Sequence, residues 1–136
     1  MKINHIAIVV EDVNAALTFW RDALGLPLQH TERNDGEAVE IAFLPMEGHQ
    51  GEIELIAPIT PDSGVAKYLA KKGAGLHHIC LEVPDVAAKL EELKSKGIEL
   101  INDSAKTRPD GTLYAFVHPK STGGVLLELY QLPKSG

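Results

Sequence analysis

Four polar residues stand in stretches of the sequence that are otherwise apolar. His5 and His78 lie among aliphatic residues, and Glu54 and Glu128 are each flanked by two of them. Burial without a partner costs a neutral polar group about 1–3 kcal/mol, and a charged group more. Because side chains alternate across a β-strand, each of the four points away from its apolar neighbours, toward a cavity that all four could share. Two imidazoles and two carboxylates suit a borderline divalent ion, so we predict one site for cobalt, nickel, manganese or zinc.

These residues come in pairs because the chain repeats itself. Residues 4–13 match residues 77–86, which lays His5 over His78 at an offset of 78 − 5 = 73. The two glutamates recur at an offset of 128 − 54 = 74. A histidine or glutamate placed by chance has no reason to recur at the same point of both copies. The repeat therefore favours a metal site over four separate structural residues.

The elements that position these residues also recur. Asp12 and Asp85 are typical N-cap residues, and Gly25 and Gly97 are typical of helix ends. Apolar residues between them recur at intervals of four and three, which builds one apolar stripe on a helix. These positions are Val13, Leu17 and Trp20 in one copy and Val86, Leu90 and Leu93 in the other. The strands predicted after the helices span residues 28–34, 38–44 and 51–56, then 98–102, 112–118 and 124–130.

The sequence therefore predicts an α+β fold made of two βαβββ modules. The first module spans residues 1–57 and the second spans residues 76–136. The connector, residues 58–75, holds a short helix over residues 65–72. Because a copy of about 60 residues is only marginally stable by itself, we expect the two modules to pack into a single domain.

Composition excludes two classes of function. The chain has 13 basic and 19 acidic residues, a net charge of −6, whereas sequence-independent nucleic-acid binding depends on clustered lysines and arginines. No stretch approaches the ~20 apolar residues that a membrane span needs. Cys80 is the single cysteine, and the N-terminus has no secretory apolar region. We therefore predict no nucleic-acid or membrane partner and a cytoplasmic location.

The motifs resemble those of the vicinal-oxygen-chelate, or glyoxalase-like, superfamily, and most closely those of the methylmalonyl-CoA epimerases. The matching stretches are Ile3-Asn4-His5-Ile6-Ala7, Gly75-Leu76-His77-His78-Ile79 and the segment from His118-Pro119-Lys120-Ser121 to Leu129. The resemblance implies paired βαβββ modules in an incomplete eight-stranded barrel, a homodimer, and metal ligands at the four residues named above. Epimerases carry glutamine at the second ligand position, where this chain has Glu54.

The resemblance also implies a reaction on an acyl-CoA substrate. An epimerase moves a proton between the two faces of the carbon that joins a thioester to a carboxylate, which suits two flanking carboxylates and a Lewis-acidic ion. The family pattern places a catalytic acid or base at Glu40, and Glu128 would be the second carboxylate as well as a metal ligand. Binding of coenzyme A requires local positive charge or polar donors, for which Arg108, Lys120 and Ser121 are the candidates.

Three alternatives stay open. A set of two histidines and two glutamates also resembles that of glyoxalase I, which isomerises a glutathione hemithioacetal at the same kind of site. Non-catalytic binders of small ligands share the fold, but they commonly lack the four ligands. An extradiol dioxygenase would normally use two histidines and one glutamate, and Glu54 argues against that function.

Overall fold

The computed structural model describes residues 1–134, except for the side chain of His49. The packing of Cα atoms divides the chain into two compact units. The first unit comprises His5–His77, and the second comprises Met1–Asn4 together with the residues from His78 onward. The last two residues of the predicted second module lie outside the described residues.

The first unit contains three full strands and most of a fourth, together with two α-helices. The strands are β1 (Lys2–Val9, of which the residues from His5 belong to this unit), β2 (His30–Asn34), β3 (Val39–Pro45) and β4 (Glu52–Pro58). The helical segments are α1 (Val13–Leu17), its π-helical continuation Thr18–Ala23, a 3-10 turn at Glu47–His49, and α2 (Gly64–Lys72). The strand order is β2-β3-β4-β1, with β1 parallel to β4 and the other pairs antiparallel. The short helix predicted in the connector is confirmed as α2.

One face of this sheet packs against α1. Val13 and Leu17 lie four residues apart, which places both on the same side of the helix, and both are buried. Trp20 is half-buried and packs against the same cluster. The strand residues in the cluster are Ala42, Leu44, Leu55 and Ala57. The apolar stripe predicted for the first helix is therefore confirmed.

The second unit repeats the order of elements. Its strands are β5 (Gly75–Glu82, of which the residues from His78 belong to this unit), β6 (Lys106–Thr107), β7 (Leu113–Val117) and β8 (Leu127–Gln131). Its helices are α3 (Val86–Ser95) and α4 (Pro119–Thr122). The strand order is β5-β8-β7-β6, with β5 parallel to β8 and the other pairs antiparallel. The core of this unit contains Val83, Val86, Leu90, Ala115, Val117 and Leu129, with Leu93 packed against it.

The helix ends follow the sequence prediction. The carboxylate of Asp12 accepts a hydrogen bond from the backbone N–H three residues later at 2.9 Å, and Asp85 does the same at 3.0 Å. Gly25 and Gly97 adopt φ angles of +94° and +76°, which L residues with a Cβ atom rarely adopt. The predicted N-caps and C-terminal glycines are therefore confirmed in both units.

The strand predicted over residues 98–102 is wrong. Only Leu100 forms a bridge, to Val117, and the edge strand of this sheet is instead the two-residue β6. The reason lies in Asn102, whose side-chain oxygen accepts a hydrogen bond at 2.8 Å from the backbone N–H of Phe116. A side chain thus takes the place of the backbone acceptor that a neighbouring strand would supply.

The strand predicted over residues 124–130 begins three residues later, at Leu127. The chain reaches this strand from α4, which begins at Pro119 because proline suits the first turn of a helix and the side chain of His118 accepts a hydrogen bond at its N-terminus. Gly123 and Gly124 then follow with positive φ angles of 78° and 112°. These conformations are helical or left-handed, and they exclude the extended backbone of a strand.

Each unit thus has the βαβββ order that the repeat predicts, and the α+β class is confirmed. The boundaries of the two modules and their connector stay predictions. Within residues 1–134, no helix combines the length and the apolar content that crossing a membrane requires.

Candidate active site

The first predicted ligand pair lies on β1 and β4. Nδ1 of His5 lies 3.1 Å from Oε2 of Glu54, and both residues are buried. The two strands are parallel, with Ala7 opposite Glu54, so His5 points to the same face of the sheet as Glu54. Leu55 points to the other face, into the core beneath α1. Because side chains alternate along the strand, Glu54 points to one face of the sheet while its aliphatic neighbour Leu55 packs in the core on the other face.

The second pair lies on β5 and β8. Nε2 of His78 lies 3.1 Å from Oε1 of Glu128, and both residues are buried. These strands are again parallel, and the residue opposite Glu128 is Cys80, the counterpart of Ala7 in the repeat. Leu129 points into the core of this unit. The duplication has therefore preserved a contact between two side chains as well as the residue types.

The chemistry of these donors fits a metal ion. Each pair offers an imidazole nitrogen and a carboxylate oxygen 3.1 Å apart in a buried setting. Borderline divalent ions bind both kinds of donor, and they require the imidazole neutral and the carboxylate ionised. That all four donors converge on one ion stays a prediction.

Arg108 is the one predicted substrate-binding residue that touches a predicted ligand. Its Nη2 atom donates a hydrogen bond to Oε2 of Glu128 at 3.0 Å. The guanidinium lies over the ring of Tyr114, 4.2 Å from the ring centre, and 5.5 Å from the ring centre of Tyr130. Burial alone would lower the pKa of Arg108, but the attraction of Tyr130 and Glu128 and its hydrogen bonds to both outweigh burial and raise that pKa. Arg108 is therefore a fixed positive charge beside Glu128.

The backbone on either side of Arg108 is held by a tight turn. The backbone N–H of Arg108 donates to the carbonyl of Thr112 at 2.8 Å, and the N–H of Gly111 donates to the carbonyl of Arg108 at 2.9 Å. The side chain of Asp110 accepts from the backbone N–H of Thr112 at 2.9 Å, which lowers the pKa of Asp110. A side chain that starts from such a turn loses little freedom when it reaches Glu128. The sequence signal for this turn is the run Pro109-Asp110-Gly111.

Glu40 lies on the opposite face of its sheet from Glu54. In the register of β3 and β4, Phe43 is opposite Glu54, whereas Glu40 is opposite Ala57. Residues opposite one another share a face, so Glu40 points to the side of the sheet that holds Ala57, which belongs to the core under α1. A base that acts on a substrate held at Glu54 should point to the face of Glu54. The predicted role of Glu40 stays a prediction of the family resemblance, and this register argues against it.

The two remaining predicted substrate-binding residues lie on α4. Lys120 is exposed, and its backbone N–H donates to Nδ1 of His118 at 3.0 Å. The hydroxyl of Ser121 accepts from the backbone N–H of Glu99 at 2.8 Å and donates to the carbonyl of Glu99 at 3.2 Å. Ser121 therefore connects α4 to the segment before β6. Of these two residues, Lys120 is the one that could bind an anionic group of a ligand.

Comparison with known proteins identifies the family. Residues 4–116 match the model of the Glyoxalase/Bleomycin resistance protein/Dioxygenase superfamily. Mitochondrial methylmalonyl-CoA epimerase of Mus musculus is 36% identical over 131 residues, which are 96% of this chain and 72% of that protein. Ethylmalonyl-CoA/methylmalonyl-CoA epimerase of Cereibacter sphaeroides is 34% identical over 133 residues, which are 96% of this chain and 98% of that protein.

A solved structure agrees with these relatives. A variant of Streptomyces coelicolor methylmalonyl-CoA epimerase in complex with 2-nitronate-propionyl-CoA superposes with a TM-score of 0.84 at 34% identity, covering 100% of this chain and 99% of that one. Enzymes of this superfamily usually use a divalent metal ion. The resemblance that the motifs indicated is thereby confirmed. This chain belongs to the Glyoxalase/Bleomycin resistance protein/Dioxygenase superfamily, and within it to the family of the methylmalonyl-CoA epimerases.

Proposed function

We propose that this chain is a methylmalonyl-CoA epimerase, which inverts the configuration of the α-carbon of its acyl-CoA substrate. The observation that carries the proposal is the similarity to two named epimerases over 96% of the chain, at 36% and 34% identity. Similarity to these epimerases confirms the epimerase function that the motifs predicted. The cytoplasmic location and the homodimer stay predictions.

The metal ligands that we propose are His5, Glu54, His78 and Glu128. Their support is the pairing of one imidazole with one carboxylate at 3.1 Å in each unit, together with the recurrence of the pair in the duplicated sequence. A divalent ion bound there would supply a Lewis acid that stabilises negative charge on the thioester oxygen. Which of cobalt, nickel, manganese or zinc the chain uses stays a prediction.

Proton transfer at the α-carbon needs an acid or base on each face of that carbon. We propose Glu128 for one of them, because it is buried and its contact with Nε2 of His78 at 3.1 Å positions the carboxylate. A fixed carboxylate loses little entropy when it meets the substrate proton. The family resemblance predicts Glu40 for the other face, but the register of β3 points Glu40 away from the face of Glu54, so Glu40 is the first residue to test.

Recognition of coenzyme A needs positive charge on a chain whose net charge is −6. We propose that Lys120, exposed on α4, contacts the phosphates of coenzyme A. Ser121 supports this contact indirectly, since its hydroxyl bonds to the backbone of Glu99 and holds α4 in place. The related epimerase solved with 2-nitronate-propionyl-CoA is consistent with an acyl-CoA substrate.

The test is exchange of the α-proton of methylmalonyl-CoA with deuterated solvent, followed by mass spectrometry. The chain is first treated with a chelator and then supplied with each divalent ion in turn. We expect exchange that depends on the added ion. No exchange with any ion, in protein shown to bind that ion, would contradict the proposed function.

Glyoxalase I is the second candidate, because the proposed set of two histidines and two glutamates also resembles the metal ligands of glyoxalase I. The same metal-loaded protein should be offered the adduct of methylglyoxal and glutathione, with the absorbance of the adduct followed over time. Consumption of the adduct without exchange on methylmalonyl-CoA would favour this function. Exchange without consumption of the adduct would exclude it.

A further inference from the structure

Arg108 is built as a recognition residue for a carboxylate. Its guanidinium is packed over the ring of Tyr114 at 4.2 Å, with the ring of Tyr130 at 5.5 Å, so its plane is fixed. Its Nη2 atom donates to Oε2 of Glu128 at 3.0 Å, which shows that a carboxylate fits at this place. The side chain is 35% exposed, so a ligand can reach it from solvent.

The hydrogen bonding of Arg108 is incomplete. Within residues 1–134, its Nε atom is a buried donor for which no acceptor is present. A guanidinium presents its donors as a planar fork that matches the two oxygens of a carboxylate, and here its partners are Glu128, which accepts from Nη2, and Tyr130. Buried donors are rarely left without an acceptor in folded proteins. Glu128 and Tyr130 therefore leave one donor of the guanidinium, Nε, without an acceptor.

We propose that Arg108 binds the free carboxylate of the substrate and gives up Glu128 in exchange, so that it selects acyl-CoA thioesters that carry an α-carboxylate. This inference rests on the proposed epimerase function. The exchange replaces one charge-assisted hydrogen bond of Arg108 with another of the same kind, and Glu128 keeps its contact with His78. It also frees one oxygen of Glu128 at the moment when the substrate arrives.

A carboxylate suits this site better than a coenzyme A phosphate does. Arg108 lies beside Glu128, the carboxylate proposed to act at the α-carbon, and the substrate carboxylate is attached to that same carbon. The phosphates of coenzyme A lie at the far end of a long pantetheine chain. Lys120 is the exposed cation that we assign to them. Each cation thus has a different part of the substrate to recognise.

The experiment compares the affinity of the metal-loaded protein for two thioesters by isothermal titration calorimetry. Methylmalonyl-CoA carries the α-carboxylate, and propionyl-CoA is the same thioester without it. For Arg108→Gln we expect binding of methylmalonyl-CoA to weaken about 10- to 100-fold, as the loss of a hydrogen bond to a charged group would cause. Binding of propionyl-CoA should change by less than about twofold.

Two further variants keep the test decisive. Arg108→Lys keeps a positive charge beside Glu128, which protects the fold, but it lacks the planar fork. It should therefore lose at least about threefold of the preference for methylmalonyl-CoA over propionyl-CoA. Lys106→Gln removes an exposed positive charge from β6, two residues away, and should leave the preference unchanged. This control separates recognition by Arg108 from a general effect of charge.

Equal weakening for both thioesters, or an unchanged preference in both Arg108 variants, would overturn the inference. The deuterium-exchange assay on the same wild-type protein separates this failure from failure of the proposed function. Wild-type exchange combined with an unchanged preference in the variants refutes only the role of Arg108. Absence of wild-type exchange refutes the epimerase function, whatever the preference of the variants.

Discussion

Nε2 of His78 lies 3.1 Å from Oε1 of Glu128 between two parallel strands. The other unit repeats this contact with His5 and Glu54, although there the histidine uses its Nδ1 atom. A buried carboxylate is costly to keep unless it is paired, and here each one is paired with an imidazole. The duplication of the chain has therefore conserved a costly arrangement twice, which is the expected pattern for ligands rather than for core residues.

The first prediction concerns metal content. His78→Gln removes an imidazole nitrogen, and we expect the affinity for a divalent ion to fall at least about 100-fold, because even partners outside the coordination sphere are worth 10- to 100-fold. Elemental analysis and competition with a chromogenic chelator measure this change.

The matched control for that variant is the neighbouring residue. His77→Gln changes the same residue type on the opposite side of β5, where the ring of His77 packs against Tyr68 at 4.7 Å between ring centres. Its metal content should equal that of the wild type. Loss of metal in both variants, or in neither, would contradict the ligand assignment of His78.

A second prediction tests whether metal binding needs the negative charge of Glu54 or only its oxygen donor. Glu54→Gln keeps an oxygen donor of the same length, so metal binding and deuterium exchange should stay within about tenfold of the wild type. Glu54→Ala removes the donor, and both measurements should fall at least about 100-fold. If the glutamine variant lost as much as the alanine variant, the charge would be essential, and the second candidate function, glyoxalase I, would gain support.

A third prediction tests the face on which Glu40 lies. A carboxylate that acts as general acid or base contributes about 100- to 10,000-fold to the rate. Because the register of β3 directs Glu40 toward the face of Ala57, we expect Glu40→Gln to reduce deuterium exchange less than about tenfold. Glu128→Gln, the comparison variant, should reduce exchange by at least about 100-fold. A comparable loss in Glu40→Gln would establish Glu40 as catalytic and overturn the argument from the register.

The parts of the fold that were predictable from the sequence are those that depend on short-range chemistry. The N-cap at Asp85 needs only an aspartate followed by a helical stretch, and its hydrogen bond forms within three residues. The choice of His78 and Glu128 as site residues could also be anticipated, because the repeat marks both residues and strand alternation gives their direction. Neither the cap nor the direction of these two side chains requires knowledge of how distant strands are aligned, whereas their contact depends on the pairing of β5 with β8.

The parts that were not predictable depend on such alignment. Alternation around Glu40 is equally compatible with either face of a strand, and only the pairing of Phe43 with Glu54 decides between them. Residues 98–102 have the composition of a strand, but the side chain of Asn102 takes the hydrogen bond from Phe116. The contact of Arg108 with Glu128 joins residues 20 positions apart. The sequence shows that Arg108 is positively charged, but it does not show which residue Arg108 contacts.

The last prediction concerns the stability of the second unit. The carboxylate of Asp85 accepts a hydrogen bond from the N–H of Ala88 and so satisfies one of the orphan donors at the start of α3. Asp85→Ala should therefore lower the free energy of unfolding by about 1 kcal/mol, measured from the midpoint of urea denaturation. Asp103→Ala removes the same charge from an exposed position outside any helix, and it should change stability by less than about 0.5 kcal/mol. Equal losses in the two variants would mean that the charge itself, rather than the cap, carries the effect.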